Sequence, residues 1–173
     1  MTRSAHPEPT EHPPYYEKYI SQVPQGDIVT VLEQELDAAL ALLNGIPTAK
    51  ADFRYAPGKW TVKESIGHVI DCERVYAYRA LRFARNDKKP LPGISPDDDM
   101  PYAKFADREL AGLISEFTHV RLASIDLFRH LEPAAWDRRG IASDMEFTVR
   151  AMAYITAGHE IHHREILKTR YLA

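Results

Sequence analysis

The sequence predicts an all-α protein that folds as a four-helix bundle. Four long stretches place apolar residues at the three- and four-residue steps of an amphipathic helix. No stretch alternates apolar and polar residues in the way that predicts a half-buried strand. Segments containing proline or glycine separate the four stretches and so give each helix a beginning and an end. Four amphipathic helices in 173 residues bury their apolar stripes most simply against one another.

The first two helices have clear apolar stripes and one well-defined start. The first is predicted over residues 28–43, where Ile28, Leu32, Leu36, Ala39 and Leu43 share a face. The second begins at Trp60–Thr61 and runs to about residue 85. Thr61 is followed three residues later by Glu64, which is the pattern of a capping box.

The third and fourth helices are predicted over residues 106–131 and 148–171. The apolar seam of the third helix follows alternating three- and four-residue steps, as bundle helices do. Residues 87–101, between the second and third helices, are rich in proline and are expected to form a long connection. Its length exceeds what a tight hairpin needs, so it could cross the bundle or cover one end.

Composition excludes several classes of protein. Lys and Arg number 22 against 25 Asp and Glu, for a net charge of −3, which argues against general nucleic-acid binding. No apolar run approaches the length of a membrane span, and the N-terminus lacks the apolar core of a signal peptide. We therefore expect a cytoplasmic protein, with residues 1–16 as a flexible proline-rich segment and residues 17–173 as one domain.

Three of the eight histidines fall within a stretch of five residues, 159–163, in the predicted fourth helix. His159 and His163 are about 40° apart and one turn along the axis, in the middle of the apolar stripe. Two neutral imidazoles so placed can bind one metal ion, although each could instead hydrogen-bond a carbonyl or a tyrosine inside the bundle. His162 could replace His163 as a ligand, support a ligand or carry a proton.

A metal ion needs a third ligand, which spacing alone does not identify. His119 and His130 lie on the third helix, and His68 lies at the edge of the apolar stripe of the second, where a solvated histidine is equally expected. Glu64 and Asp71 are within a turn of His68 and could orient its ring, although the capping role is favoured for Glu64. The single cysteine, Cys72, is expected to be a small core residue.

Two motifs resemble those of the DinB-like (DinB/YfiT) family. Residues 60–74, WTVKESIGHVIDCER, match its W-[ST]-x-x-E-x-x-x-H-x-x-D-x-E pattern, and residues 159–163, HEIHH, match its H-x-x-H-H pattern. The resemblance extends from about residue 19 to residue 172. It implies a four-helix bundle with a mirror variant of up-and-down topology and, commonly, a homodimer. It also implies a divalent metal ion, usually nickel or zinc, bound by His68, His159 and His163.

The resemblance also suggests a function. The family includes transferases that use the thiols bacillithiol, mycothiol or glutathione, and a maleylpyruvate isomerase. We therefore expect a metal-dependent S-transferase acting on small electrophiles. A metal-dependent hydrolase is the alternative, and a bundle whose metal is structural and whose surface contacts other proteins is a third hypothesis. Asp97, Asp98 and Asp99 count mildly against a carboxylate-rich thiol.

Several arginines of the second helix are harder to interpret from the sequence. Together with Tyr76, Arg74, Arg79 and Arg82 could line an anion-binding mouth, but the sequence favours a charged outer face for Arg79 and Arg82. No catalytic residue other than the metal ligands is predicted.

Overall fold

The computed structural model describes residues 3–173, which form six α-helices and one β-hairpin. The helices are α1 (Glu17–Ile20), α2 (Ile28–Leu43), α3 (Val62–Ala84), α4 (Pro96–Ala103), α5 (Leu110–Arg129) and α6 (Val149–Ile166). A π-helical turn, Leu167–Tyr171, continues α6. Among the described residues, no helix is both long and apolar enough to cross a bilayer.

The four predicted helices correspond to α2, α3, α5 and α6. Helix α2 has the predicted bounds, and its N-terminal amides are capped by the Asp27 side chain. The capping box at the start of α3 is confirmed. Thr61 Oγ1 accepts a hydrogen bond from the Glu64 amide at 3.1 Å, and Glu64 Oε2 accepts one from the Thr61 amide at 2.7 Å. Thr148 caps α6 in a similar way.

The four long helices pack so that two of the three consecutive pairs, α2 with α3 and α5 with α6, are not neighbours in the bundle. Helix α3 makes its extensive contacts with α5 and α6, and α2 makes its own with the same two helices. Helices α2 and α3 therefore face each other across a diagonal, as do α5 and α6. In a simple up-and-down bundle, consecutive helices are adjacent. The predicted bundle class is thus confirmed, as is its departure from simple up-and-down topology.

A β-hairpin before α6 contradicts the prediction that the chain contains no strands. Strand β1 (Arg139–Ala142) pairs antiparallel with β2 (Met145–Thr148), with Ala142 opposite Met145. The turn residues Ser143 and Asp144 both have positive φ, 52° and 60°, as a two-residue hairpin turn requires. Four-residue strands are too short to show clear alternation, and the turn lacks the glycine that usually reveals it.

Helix α4 is a second departure, because residues 87–101 were expected to be a connection without a helix. Pro96 occupies the first turn of α4, and Asp97, Asp98 and Asp99 follow it there. Proline and acidic residues both favour a helix N-terminus. Helix α4 packs on α3. The connection contacts Arg79 in the C-terminal half of α3 through the Pro92 carbonyl, and it reaches Lys63 at the start of α3 through the Ala106 carbonyl. It therefore runs along the length of α3, which agrees with the prediction that it crosses the bundle rather than covers one end.

The segment predicted to be flexible, residues 1–16, has specific contacts over its described part; Met1 and Thr2 lie outside the described residues. Glu11 is buried and accepts hydrogen bonds from Thr148 Oγ1 at 2.8 Å and from Arg150 Nε at 3.0 Å. The next element, α1, packs on α6. A domain boundary at residue 16 remains a prediction.

Candidate metal centre

The three histidines predicted as metal ligands lie together between α3 and α6. The Nε2 atoms of His68 and His159 are 3.1 Å apart. The ring of His163 has its centroid 4.7 Å from that of His68 and 4.5 Å from that of His159. His68 is only 7% exposed, although its angle on the helix placed it at the edge of the stripe. The contacts of α3 with both α5 and α6 widen its buried face.

Cys72, one turn after His68, adds a sulfur to this cluster. Its Sγ lies 3.8 Å from His68 Nε2, and donor atoms of His68, Cys72 and His159 all lie within 4.8 Å of one another. Around a tetrahedral zinc ion, two imidazole nitrogens are about 3.4 Å apart, and a nitrogen and a thiolate sulfur are about 3.6 Å apart. The separations of His68 Nε2 from His159 Nε2 and from Cys72 Sγ differ from these values by a few tenths of an ångström, so His68, Cys72 and His159 suit a shared divalent ion. His163 borders this set through its ring but is not a member of it.

The imidazoles are held in the neutral form that metal binding requires. Burial lowers the pKa of His68 to about 4, and the charge of Asp97 opposes this only weakly. Burial lowers the pKa of His163 to about 3, and burial together with the neighbouring imidazoles lowers the pKa of His159 well below its usual value. Burial raises the pKa of the Cys72 thiol to about 12, so the sulfur is protonated unless a cation is bound.

Two glycines allow other chain segments to approach the cluster closely. A Cβ on Gly158, next to His159, would lie 2.1 Å from the carbonyl oxygen of Tyr19. A Cβ on Gly67, next to His68, would lie 2.3 Å from the ring of Phe105. Such separations are sterically forbidden, so these two positions must be glycine for α1 and the segment after α4 to pack beside the histidines.

Aromatic side chains surround the histidines. The centroid of the Tyr19 ring lies 5.3 Å from the ring centroids of both His159 and His162. The centroid of the Tyr76 ring lies 5.5 Å from that of His159. The Trp60 ring packs 4.6 Å from the His68 ring. Burial raises the pKa of both the Tyr19 and the Tyr76 hydroxyl. Both groups therefore stay protonated and can donate hydrogen bonds near the cluster.

The cluster opens into a cavity of about 510 Å³ that all three histidines line. Two adjoining cavities, of about 470 and 620 Å³, share His68 and His163 with it respectively. Asp97, from α4, lines two of these spaces and Asp99 the third. Small molecules can thus reach the histidines from more than one side.

The other residues singled out in the sequence occupy varied positions. Glu64 serves the cap and pairs with Arg54, and Asp71 is exposed and pairs with Arg74. Among the described residues, neither carboxylate forms a hydrogen bond or an ion pair with His68. His162 packs on Tyr19 and His163, beside the cluster. His119 is exposed on α5, and His130 is exposed at the C-cap of that helix.

Three features of the site were not expected from the sequence. Cys72 belongs to the cluster, and its position four residues after His68 was the available signal. Tyr19 reaches the site from α1, a helix that the sequence pattern did not predict. Arg79 is buried at 2% exposure and lines the cavity, so the prediction of an outer-face position was wrong for this residue. Arg82 does lie on the outer side, paired with Asp87.

The family model of the DinB superfamily matches residues 31–167, which is most of the chain. The chain belongs to the DinB superfamily. A search of curated proteins finds no match.

Two solved structures share the fold of this DinB superfamily member. YfiT from Bacillus subtilis, described as a probable metal-dependent hydrolase with an unusual four-helix bundle topology, is 17% identical with a TM-score of 0.62; the match covers 95% of this chain and 93% of YfiT. A mycothiol-dependent maleylpyruvate isomerase is 13% identical with a TM-score of 0.67, over 83% of this chain and 61% of the isomerase. At these identities, the likeness establishes the fold.

Proposed function

We propose that this protein is a metal-dependent enzyme that transfers a thiol sulfur to small electrophiles. His68, His159 and His163 are the proposed ligands of a nickel or zinc ion, with Cys72 as an additional donor. The observation that carries the proposal is the convergence of neutral imidazoles, with a 3.1 Å separation between two of their nitrogens, at the wall of a large cavity. A structural metal site is closed, whereas a catalytic one keeps a position open to ligands.

The bound ion would supply Lewis acidity, which lowers the pKa of a thiol or of water at the open position. The protein's own residues prepare this position. The imidazoles carry no charge, so they leave the positive charge of an ion uncompensated. The Trp60 ring covers His68 on one side and limits access of water there. The protonated hydroxyls of Tyr19 and Tyr76 can donate hydrogen bonds to a substrate beside His159.

Space on both sides of the histidines favours a reaction between two molecules. The cavities that share His68 and His163 offer one region for a thiol and another for an electrophile. The fold likeness to a mycothiol-dependent isomerase supports thiol chemistry on this scaffold. Binding energy that holds both reactants beside each other would then replace the entropy cost of their encounter.

Hydrolysis of an ester, amide or lactone is the alternative, and the acidic rim favours it. Asp97 and Asp99 line the cavities and would repel a thiol that carries several carboxylates. The fold likeness to YfiT, a probable metal-dependent hydrolase, supports this reading. Each reaction uses the same metal ligands but a different nucleophile.

Metal analysis of protein purified without chelator is the first test. We expect about one nickel or zinc ion per chain, lost in His159→Ala and kept in His119→Ala, which removes an exposed histidine of α5 instead. Absence of metal from wild-type protein, or equal metal content in both variants, would refute the site. Activity assays then follow with monochlorobimane plus glutathione, bacillithiol or mycothiol, and with an ester and lactone panel.

The assays separate the three hypotheses. Conjugation that depends on one thiol supports the transferase, and hydrolysis without thiol supports the hydrolase. Metal-replete protein inert in both panels would favour a structural metal and a protein-contact role. A homodimer, suggested by the family resemblance, is a further expectation that light scattering can test.

A further inference from the structure

Arg79 is a buried cation that lacks a buried counter-charge. It lies on α3 with 2% of its surface exposed. Its Nη2 donates hydrogen bonds to the Pro92 carbonyl and to Ser143 Oγ, both at 3.0 Å. Neither acceptor is charged, and Arg79 forms no ion pair with any carboxylate among residues 3–173. Burying a charge without a partner is costly, and buried arginines are normally paired.

The other fully buried arginine of the bundle shows the contrast. Arg121 donates from Nε and Nη2 to the two carboxylate oxygens of Glu73, at 2.8 and 2.9 Å. Arg121 is therefore neutralised within the core. The fold brings no equivalent carboxylate to Arg79, whose neighbours come from the connection before α4 and from the hairpin turn.

The guanidinium of Arg79 borders the cavity that holds the histidine cluster. Its positive charge acts on two other groups there, since it opposes the effect of burial on the pKa of Tyr16 and of Cys72. Because Pro92 and Ser143 take up Nη2, the remaining N–H groups are left for Tyr16 and for a ligand in the cavity. Asp97 lines the same cavity and disfavours a ligand with two negative charges.

We propose that Arg79 binds the carboxylate of a small-molecule substrate, which places the rest of that molecule in the cavity beside the histidines. The ligand class is thus a monocarboxylic acid that fits a cavity of about 510 Å³. A guanidinium and a carboxylate match in geometry as well as charge, so the pair also orients the ligand. The carboxylate belongs either to the electrophile or to the thiol. The assignment of the ligand as electrophile or thiol rests on the proposed function, whereas the carboxylate site itself does not.

The experiment compares acids with their neutral amides by calorimetry. Phenylacetate and phenylacetamide represent the electrophile, and 3-mercaptopropionate and 3-mercaptopropionamide represent the thiol. We expect wild-type protein to bind the acid of at least one pair about tenfold more tightly than the amide. Arg79→Met abolishes this preference, whereas Arg82→Met, one turn further along α3 and outside the cavity, preserves it. The pair that shows the effect identifies which reactant carries the carboxylate.

Two results would overturn the proposal: equal affinity of wild-type protein for acid and amide in both pairs, or a preference that survives in Arg79→Met. The wild-type comparison needs no variant, so the test does not depend on whether Arg79→Met folds. The titrations are repeated on chelator-treated protein, where Arg79 still provides the preference. A preference in protein that never retains metal supports the Arg79 site and refutes the proposed metal chemistry. Protein that binds metal but shows no preference for the acid over the amide supports the metal site and refutes the Arg79 site.

Discussion

Arg121 and Glu73 form a two-point ion pair in the core, between α5 and α3. Only 0% of the Arg121 side-chain surface and 2% of the Glu73 side-chain surface are exposed. The guanidinium donates to each carboxylate oxygen. The positive charge also lies 5.4 Å from the ring of Phe117. Glu73 follows Cys72, so this pair fixes the face of α3 that presents the cluster residues.

Removing one partner of this pair should be far more costly than removing both. We expect Arg121→Met to lower the free energy of unfolding by about 3–5 kcal/mol, because it leaves a buried carboxylate without a partner. The double variant Arg121→Met with Glu73→Leu should recover most of that loss. Urea denaturation measures both values. The control is Arg129→Ala, which removes an exposed pair with Glu33 and should cost about 1 kcal/mol or less. A single variant as stable as the control would contradict this account.

Gly158→Ala should disturb the packing of α1 against α6. The new methyl group would lie 2.1 Å from the Tyr19 carbonyl, and backbone cannot move aside as a side chain can. We expect a loss of about 1–3 kcal/mol in unfolding free energy, together with weaker metal binding as α1 shifts away from His159. Gly112→Ala is the matched control: that glycine lies in α5 with no atom near its Cβ position, and alanine there should stabilise the protein by about 0.5–1 kcal/mol. This account fails if Gly158→Ala and Gly112→Ala change the free energy of unfolding in the same direction.

Cobalt substitution should reveal whether Cys72 binds the metal. A thiolate ligand gives cobalt(II) a charge-transfer absorption that imidazole ligands do not. We expect this band in the wild-type protein and not in Cys72→Ser, with metal affinity at least about tenfold lower in the variant. His163→Ala should keep the band while losing affinity. An identical spectrum for Cys72→Ser and the wild type would show that the sulfur is not a ligand.

The stability of the metal-free protein should increase with pH between about 4 and 6.5. Burial lowers the pKa of His68 from 6.5 to about 4 and that of His163 to about 3, so in this range the unfolded chain binds more protons than the folded one. His68 alone accounts for about 3 kcal/mol across the range. Glu160 opposes this effect, because burial raises its pKa to about 7 and the folded state keeps a proton that the unfolded state loses above 4.5.

Urea titrations at successive pH values, in the presence of chelator, measure this profile. Glu160→Gln removes the opposing group and should steepen the increase, whereas His68→Phe should make it shallower. A wild-type profile that is flat from pH 4 to 6.5 would contradict the assignment of buried, neutral imidazoles.

Local signals account for the parts of the fold that could be predicted. The apolar stripe of residues 28–43 and the Thr61–Glu64 capping box depend on neighbours within a few residues, and both appear as expected. The hairpin and α4 escaped prediction for different reasons. The hairpin turn consists of Ser143 and Asp144, which adopt positive φ although neither is glycine. The prolines of residues 87–101 predicted an irregular connection, whereas Pro96 occupies the first turn of α4.

The candidate site was only partly predictable, because the missing parts depend on tertiary contacts. The spacing of His159 and His163 was visible within one helix, but the burial of His68 follows from the packing of α3 between α5 and α6. Arg79 has the periodicity of a surface residue. It is buried because Pro92 and Ser143, from segments 13 and 64 residues away, close over it.

The separation of the cluster along the chain has a consequence during synthesis. His68 and His159 lie 91 residues apart in the sequence. At ribosomal rates, roughly 5 to 18 seconds pass between the synthesis of these two histidines. During that interval the nascent chain exposes His68 and Cys72 without their partners, free to bind a passing ion weakly or to be oxidised. The complete set of donors exists only after α6 has packed against α3. We therefore expect the metal ion to bind after synthesis of the chain is finished.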